Sequence, residues 1–118
     1  MKLKTICFDI DNVICKTNAT KDYSKSIPIK KNIKVINQAY RKGFNIILYT
    51  ARYMGRCNGN LACVKKQIKP LTLKQLQKWG VKYHKIHFGK PSFDLFIDDK
   101  SIFFRKDWSK LLKKKLNI

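Results

Sequence analysis

Glutamate is absent from this 118-residue chain, and seven Asp are its only acidic side chains against 27 Lys and Arg, a formal net charge of +20. Arginine is scarce too, with four against 23 lysines. A nucleic-acid interface typically gathers Arg and aromatic residues in a patch, whereas these lysines are dispersed, so a solvated basic surface that attracts anions is the plainer reading. No apolar run approaches the ~18 residues of a membrane span. MKLKTICFDIDN also places acids inside what would have to be the apolar part of a signal peptide, so a cytoplasmic protein with no membrane partner is expected. Cys7, Cys15, Cys57 and Cys63 form no CxxC pair, and without an export signal they are expected as reduced thiols. Cys57 and Cys63 at C-x5-C, taken with His84 and His87 at H-x2-H, fit no usual zinc spacing.

What remains can fold. With 44% hydrophobic and 12% aromatic residues the chain can build a core, and its length is that of one domain, so residues 1–118 are read as a single unit with no second domain. Leu3 to Phe8 is a short apolar run ending on Asp9, the pattern of a buried strand that delivers a carboxylate to its C-terminal edge. Residues 16–31 are polar and read as a loop or small flap. Ile33, Ile36, Ala39 and Tyr40 recur at helical spacing before Gly43, which predicts a helix over about 31–42. Phe44 to Tyr49 is a second apolar strand, ending on Thr50. Tyr53 to Asn60 reads as an exposed loop. Leu61, Val64, Ile68 and, beyond Pro70, Leu73, Leu76 and Trp79 predict one broken helix or two short ones. Lys85 to Phe88 and Asp94 to Ile97 are expected as strands, 102–104 as an edge strand, and Ser109 to Leu116 as a basic terminal helix. Strands alternating with helices imply a parallel sheet with right-handed crossovers, hence a three-layer, Rossmann-like α/β fold whose ligands bind at the C-terminal ends of strands.

The few acids are not scattered. Four of the seven, Asp9, Asp11, Asp98 and Asp99, fall in two close pairs, and carboxylates crowded in this way usually need a hard divalent cation to hold them. The expected strand ends spell FDIDNVI, LYTAR, GKP and FIDD, in that order. Those four motifs resemble the signature of the haloacid dehalogenase (HAD) superfamily of phosphotransferases: D-x-D-x-[TV], then Ser/Thr, then Lys, then an acidic pair. TAR, WGV-x-YH and GKPS-x-DL-x-IDDK are similar, more narrowly, to small bacterial phosphatases of capsular polysaccharide biosynthesis. Asn12 departs from the Gly that many relatives carry.

The resemblance implies a Mg²⁺-dependent phosphatase that hydrolyses a phosphate monoester, a sugar or polyol phosphate, through an aspartyl-phosphate. Asp9 matches the nucleophile and Asp11 the general acid and base. Thr50 and Lys90 match the groups that hold the phosphoryl oxygens. Mg²⁺ would bridge Asp9, the Asp11 backbone carbonyl and the Asp98–Asp99 pair. Arg52 is a candidate for a second substrate anion or hydroxyl. Neither 16–31 nor 51–89 leaves room for a cap domain, so the site must accept a large substrate or be covered by a neighbouring subunit. The competing readings are a phosphatase of nucleotide or nucleic-acid phosphate ends, and a non-catalytic basic nucleic-acid-binding protein. An intact Asp11 argues against the latter, since binding alone has no need of a general acid. A receiver-like phosphoacceptor domain would carry its adjacent acidic pair on the first strand, the reverse of the arrangement here.

Overall fold

The computed structural model describes residues 4–102 and 104–118. Three parallel strands form its main sheet: β1 (Thr5–Asp9), β4 (Asn45–Thr50) and β5 (Lys85–Phe88), in the order β1-β4-β5. Helices α1 (Lys30–Arg41) and α2 (Leu61–Lys78) make the two crossovers, and α3 (Trp108–Leu116) follows. Register fixes the faces. Phe8 lies opposite Leu48, and Leu48 opposite Ile86, so Ile6, Phe8, Ile46, Leu48, Thr50, Ile86 and Phe88 share one side. Because the strand order advances in one direction and such crossovers are right-handed, α1 and α2 fall on that same side. Ile36 and Ala39 of α1 and Trp108 and Leu112 of α3 pack there with Phe8, Ile46 and Leu48. Val64 and Ile68 of α2 pack with Phe88. The opposite face carries Cys7, Ile47, Tyr49, Lys85 and His87, none of them buried, and the described helices all lie on the first face.

The sequence patterns account for these elements. Ile46, Leu48 and Thr50 are buried in alternation along β4, the period of a strand with one covered face. Residues 15–28 form the expected flap, in which two-residue strands β2 (Cys15–Lys16) and β3 (Ile27–Pro28) pair antiparallel around a turn at Tyr23–Lys25. No cap domain is inserted between β1 and α1. In α3, Leu112 is buried and Lys113, Lys114 and Lys115 are exposed, as its leucine spacing predicts.

Four expectations need correction or placement. Pro70 does not break α2, which runs through it as one helix. Pro70 and Lys66 are both exposed, so water can take the carbonyl that proline leaves unbonded, while Val64, Ile68 and Thr72 carry one packed face past it. Asp94–Ile97 forms no strand; Leu95 (78% exposed) and Ile97 (90%) stand outside the core. The edge strand expected at 102–104 includes Phe103, which, like Leu3, lies outside the described residues.

The fourth correction is chemical. Cys57 and Cys63 form a disulfide six residues apart, joining the loop after β4 to the first turn of α2. That turn is already fixed, because the Asn60 side chain accepts from Cys63 N at 2.9 Å as its N-cap. Cys15 is buried, and burial followed by the charge of Asp11 pushes its thiol up; burial and then Asp9 push up the thiol of the more accessible Cys7. His84 accepts from Ile46 N and stacks on Tyr40. A thiol titration of protein purified without reductant should therefore find Cys7 in the native state and Cys15 only on unfolding, with Cys57 and Cys63 appearing after reduction. Four free thiols in unreduced, unfolded protein would remove the disulfide.

Candidate active site

Asp9 ends β1 with both oxygens engaged: Oδ1 accepts from Ile10 N at 2.8 Å and Oδ2 from Lys90 Nζ at 2.8 Å. Lys90 reaches it because Gly89 follows β5 with φ of 99°, a left-handed conformation that favours glycine, and a Cβ there would meet Leu61 Cδ1 at 3.1 Å. Lys90 N then donates to Thr50 O at 3.1 Å, which fixes the lysine's backbone at the C-terminal end of β4. Past the fully buried Ile10 the chain turns sharply. Asn12 takes φ of 65° and donates its N–H to Cys15 O, and Asn is among the few non-glycine residues that tolerate this region. That explains how Asn12 stands where the resemblance calls for Gly.

The turn sets Asp11 against a buried cation. Arg52 is 1% exposed, so each of its donors must find a protein partner. Nε donates to both Asp11 oxygens, at 3.1 and 3.0 Å, and Nη2 to Oδ1 at 2.9 Å. Nη1 donates to Gln75 Oε1 at 2.7 Å and Thr72 Oγ1 at 3.2 Å, while the guanidinium lies 4.7 Å from the Tyr23 ring centre. Gln75 Nε2 in turn donates to Tyr23 O at 2.6 Å, and Thr17 Oγ1 to Asp11 Oδ1 at 2.6 Å. Burial, then Asp11, pushes the Tyr23 hydroxyl up. With its donors taken by the protein, Arg52 positions Asp11 in this structure and offers nothing to a second substrate group.

Above these residues opens a cavity of about 560 Å³, at the C-terminal ends of the strands. Asp9, Asp11, Arg52 and Lys90 line it from the strand ends, its floor, and Lys21, Tyr23, Tyr53 and Arg56 line it from the flap and the loop after β4. Thr50 lies beneath, fully buried, its Oγ1 accepting from Arg52 N at 3.1 Å. Asp98 and Asp99 lie on the exposed 91–102 segment and do not line the cavity; Asp98 Oδ1 accepts from Lys100 N. No group of three His, Cys, Asp or Glu that could hold a metal occurs among the described residues. Sequence reasoning missed Thr17, Lys21, Tyr23, Arg56 and the pair Thr72 and Gln75. The last two carried a usable signal, since polar residues on the apolar face of α2 imply a buried polar partner.

No family model and no curated protein matches the chain. Among solved structures, a structural-genomics target from Vibrio cholerae is similar at 25% identity and a TM-score of 0.79, covering 96% of this chain and 98% of that one. D,D-heptose 1,7-bisphosphate phosphatase from B. bronchiseptica, crystallised with magnesium and phosphate, is similar at 16% identity and a TM-score of 0.51 over 98% of this chain and 65% of that one. A chain of the Pnkp1/Rnl/Hen1 RNA repair complex is similar at 18% and 0.53, over 95% of this chain and 31% of that one. The fold is thus an α/β fold similar to that of the heptose bisphosphate phosphatase.

Replacing Arg52 by Met would leave Asp11, Thr72 and Gln75 without their shared donor. We expect a loss of about 2–4 kcal/mol in unfolding free energy by urea titration, a little below the ~3–5 kcal/mol for a wholly buried pair because the Asp11 side chain is 21% exposed. A loss under about 1 kcal/mol would mean that water replaces the guanidinium at little cost.

Proposed function

We propose that this chain is a phosphoric monoester hydrolase in which Asp9 is the nucleophile, acting on a small phosphorylated substrate such as a sugar or polyol phosphate of polysaccharide biosynthesis. The observation that supports it most is the pairing of Asp9 with Lys90 at 2.8 Å on the cavity floor, beside an Asp11 held by Arg52. A phosphate dianion repels a bare carboxylate, so attack by Asp9 needs a fixed cation between them. Lys90 can serve both, because its ammonium has three donors and Asp9 takes one.

In the first step an Asp9 oxygen bonds to phosphorus and the P–O bond to the alcohol breaks, with Asp11 donating the proton that the alkoxide takes. In the second, Asp11 accepts a proton from water, the hydroxide attacks phosphorus, and the P–O bond to Asp9 breaks to release inorganic phosphate. The two Asp11 oxygens are unlike. Oδ1 accepts from Arg52, Thr17 and the Cys15 thiol, whereas Oδ2 accepts from Arg52 Nε alone and has room for the travelling proton.

Magnesium belongs to the proposal through the chemistry of its donors. Asp9, Asp11, Asp98 and Asp99 supply the hard carboxylate oxygens such an ion takes, and a bound ion would polarise the phosphoryl group. The described arrangement gathers only the first pair at the cavity, with each member already paired to a cation.

A screen of sugar, polyol and nucleotide phosphates and RNA ends, run with Mg²⁺, tests the reading. Asp9→Asn should lower kcat at least ~10³-fold while leaving the unfolding transition near that of the parent, since the isostere keeps the shape but cannot form the acyl phosphate. Turnover within ~10-fold of the parent would eliminate the covalent route. Excess EDTA should abolish activity and Mg²⁺ restore it, and full activity in EDTA would dismiss the metal. Preference for an RNA terminus over every small phosphate would transfer the activity to nucleic-acid ends.

A further inference from the structure

The cavity wall carries more positive charge than the reaction uses. Of its four cationic side chains, Lys90 is paired with Asp9 and Arg52 with Asp11. Lys21 and Arg56 make no salt bridge among the described residues. Asp22, which also feels Arg56, directs one oxygen to Ser24 and the other toward Lys25.

Arg56 is held rather than waving. Nη2 donates to Lys21 O at 3.0 Å, and the guanidinium lies 4.5 Å from the centre of the Tyr53 ring and 5.8 Å from that of Tyr23. Tyr53 itself has φ of 64°, a conformation that strains a non-glycine residue and persists where its surroundings impose it. The Cys57–Cys63 disulfide ties down the same loop. An arginine fixed in this way loses little rotamer freedom on binding, and its Nε and Nη1 donors remain for an oxyanion. Stacking of a nucleobase is the weaker use of this wall, because the Tyr53 ring is already covered by Arg56 and tilted against Tyr23 at 5.8 Å.

We propose that Lys21, from the flap, and Arg56, from the loop after β4, form a second anion subsite in the cavity, so that the substrate is a phosphate ester carrying a second phosphate group. The inference rests on the phosphatase reading and narrows it. It also moves the second-anion role, expected at Arg52 from the sequence, to an arginine whose donors are not consumed. A cavity of about 560 Å³ lies in the range of sites that take a whole small molecule, leaving space for a carbon skeleton between the two anions.

The test compares fructose bisphosphate with fructose monophosphate on the parent and on Arg56→Gln, Arg56→Lys and the double variant Lys21→Gln/Arg56→Gln. The parent should favour the bisphosphate, and in Arg56→Gln the ratio of kcat/KM, bisphosphate over monophosphate, should fall about tenfold, mostly through KM, and further in the double variant. Arg56→Lys should recover part of it. Equal losses on both substrates would assign Arg56 to the reacting phosphoryl group and overturn the subsite, as would no change in the ratio. Calorimetric binding of both sugars to Asp9→Asn and to Asp9→Asn/Arg56→Gln keeps the two readings apart. Tighter bisphosphate binding that depends on Arg56, without turnover by the parent, would sustain the subsite and defeat the hydrolase; turnover with Arg56-independent binding would do the opposite.

Discussion

A guanidinium that water cannot reach must have its charge and its donors satisfied by the chain, and Arg52 draws those partners from three places. Asp11 comes from the turn after β1, Thr72 and Gln75 from the middle of α2, and the Tyr23 ring from the flap. The turn and the flap adjoin in sequence, but α2 lies far along the chain from both and pairs with neither in a sheet, so the buried cation is what ties the helix to them. Gln75 extends the tie by donating to Tyr23 O, and Thr17 closes it from the other side of the flap. The position of Asp11 therefore follows from a residue that need never touch substrate.

The same requirement governs Asp9. A chain with no Glu and seven Asp has little cause to bring two carboxylates together, and each of the two at the cavity is matched by one cation of its own. The matches differ in kind. Arg52 is wholly enclosed and holds Asp11 with a planar fork, whereas Lys90 is a point charge on a flexible stem and stays partly exposed. A rigid clamp suits a carboxylate that must hand over a proton along one direction. An ammonium with donors to spare suits one that must share its cation with an incoming phosphoryl group.

Much of this was legible in the sequence because it depended on local order. The apolar runs before Asp9 and Thr50, the glycine before Lys90 and the leucine spacing of α3 each set an element and its end within a few residues. What escaped depended on contacts across the fold. Arg52 reads as a strand-end cation free to bind substrate, and only the packing of α2 and the flap encloses it. Pro70 signals a break, but with Lys66 exposed the lost hydrogen bond is met by solvent. Cys57 and Cys63 have the spacing of no familiar motif, and it is the turn between them that brings their sulfurs together. The run DLFI has the composition of a buried strand, yet strand pairing is a property of two partners, and the described sheet ends at β1.

Charge also explains why the flap is built from polar residues and not from an apolar lid. A lid that excluded water would leave Lys21 and Arg56 desolvated and without carboxylates, at a cost of several kcal/mol per ion. Left open to solvent, they remain charged at little expense until an anion displaces the water. Their attraction to that anion is strongest where the low-dielectric wall of Tyr23 and Tyr53 stands behind them, since field lines concentrate in a cleft with such walls. The dispersed lysines of a +20 chain add a long-range pull that salt weakens over about 8–10 Å, whereas cations in contact with a bound ligand lie within that distance and are screened less. Raising the ionic strength should accordingly slow the encounter with any anionic substrate, most for the one with more charge, while the contact discrimination persists, so the ratio of kcat/KM for the two fructose phosphates should fall with salt less steeply than the bisphosphate value itself and stay above one.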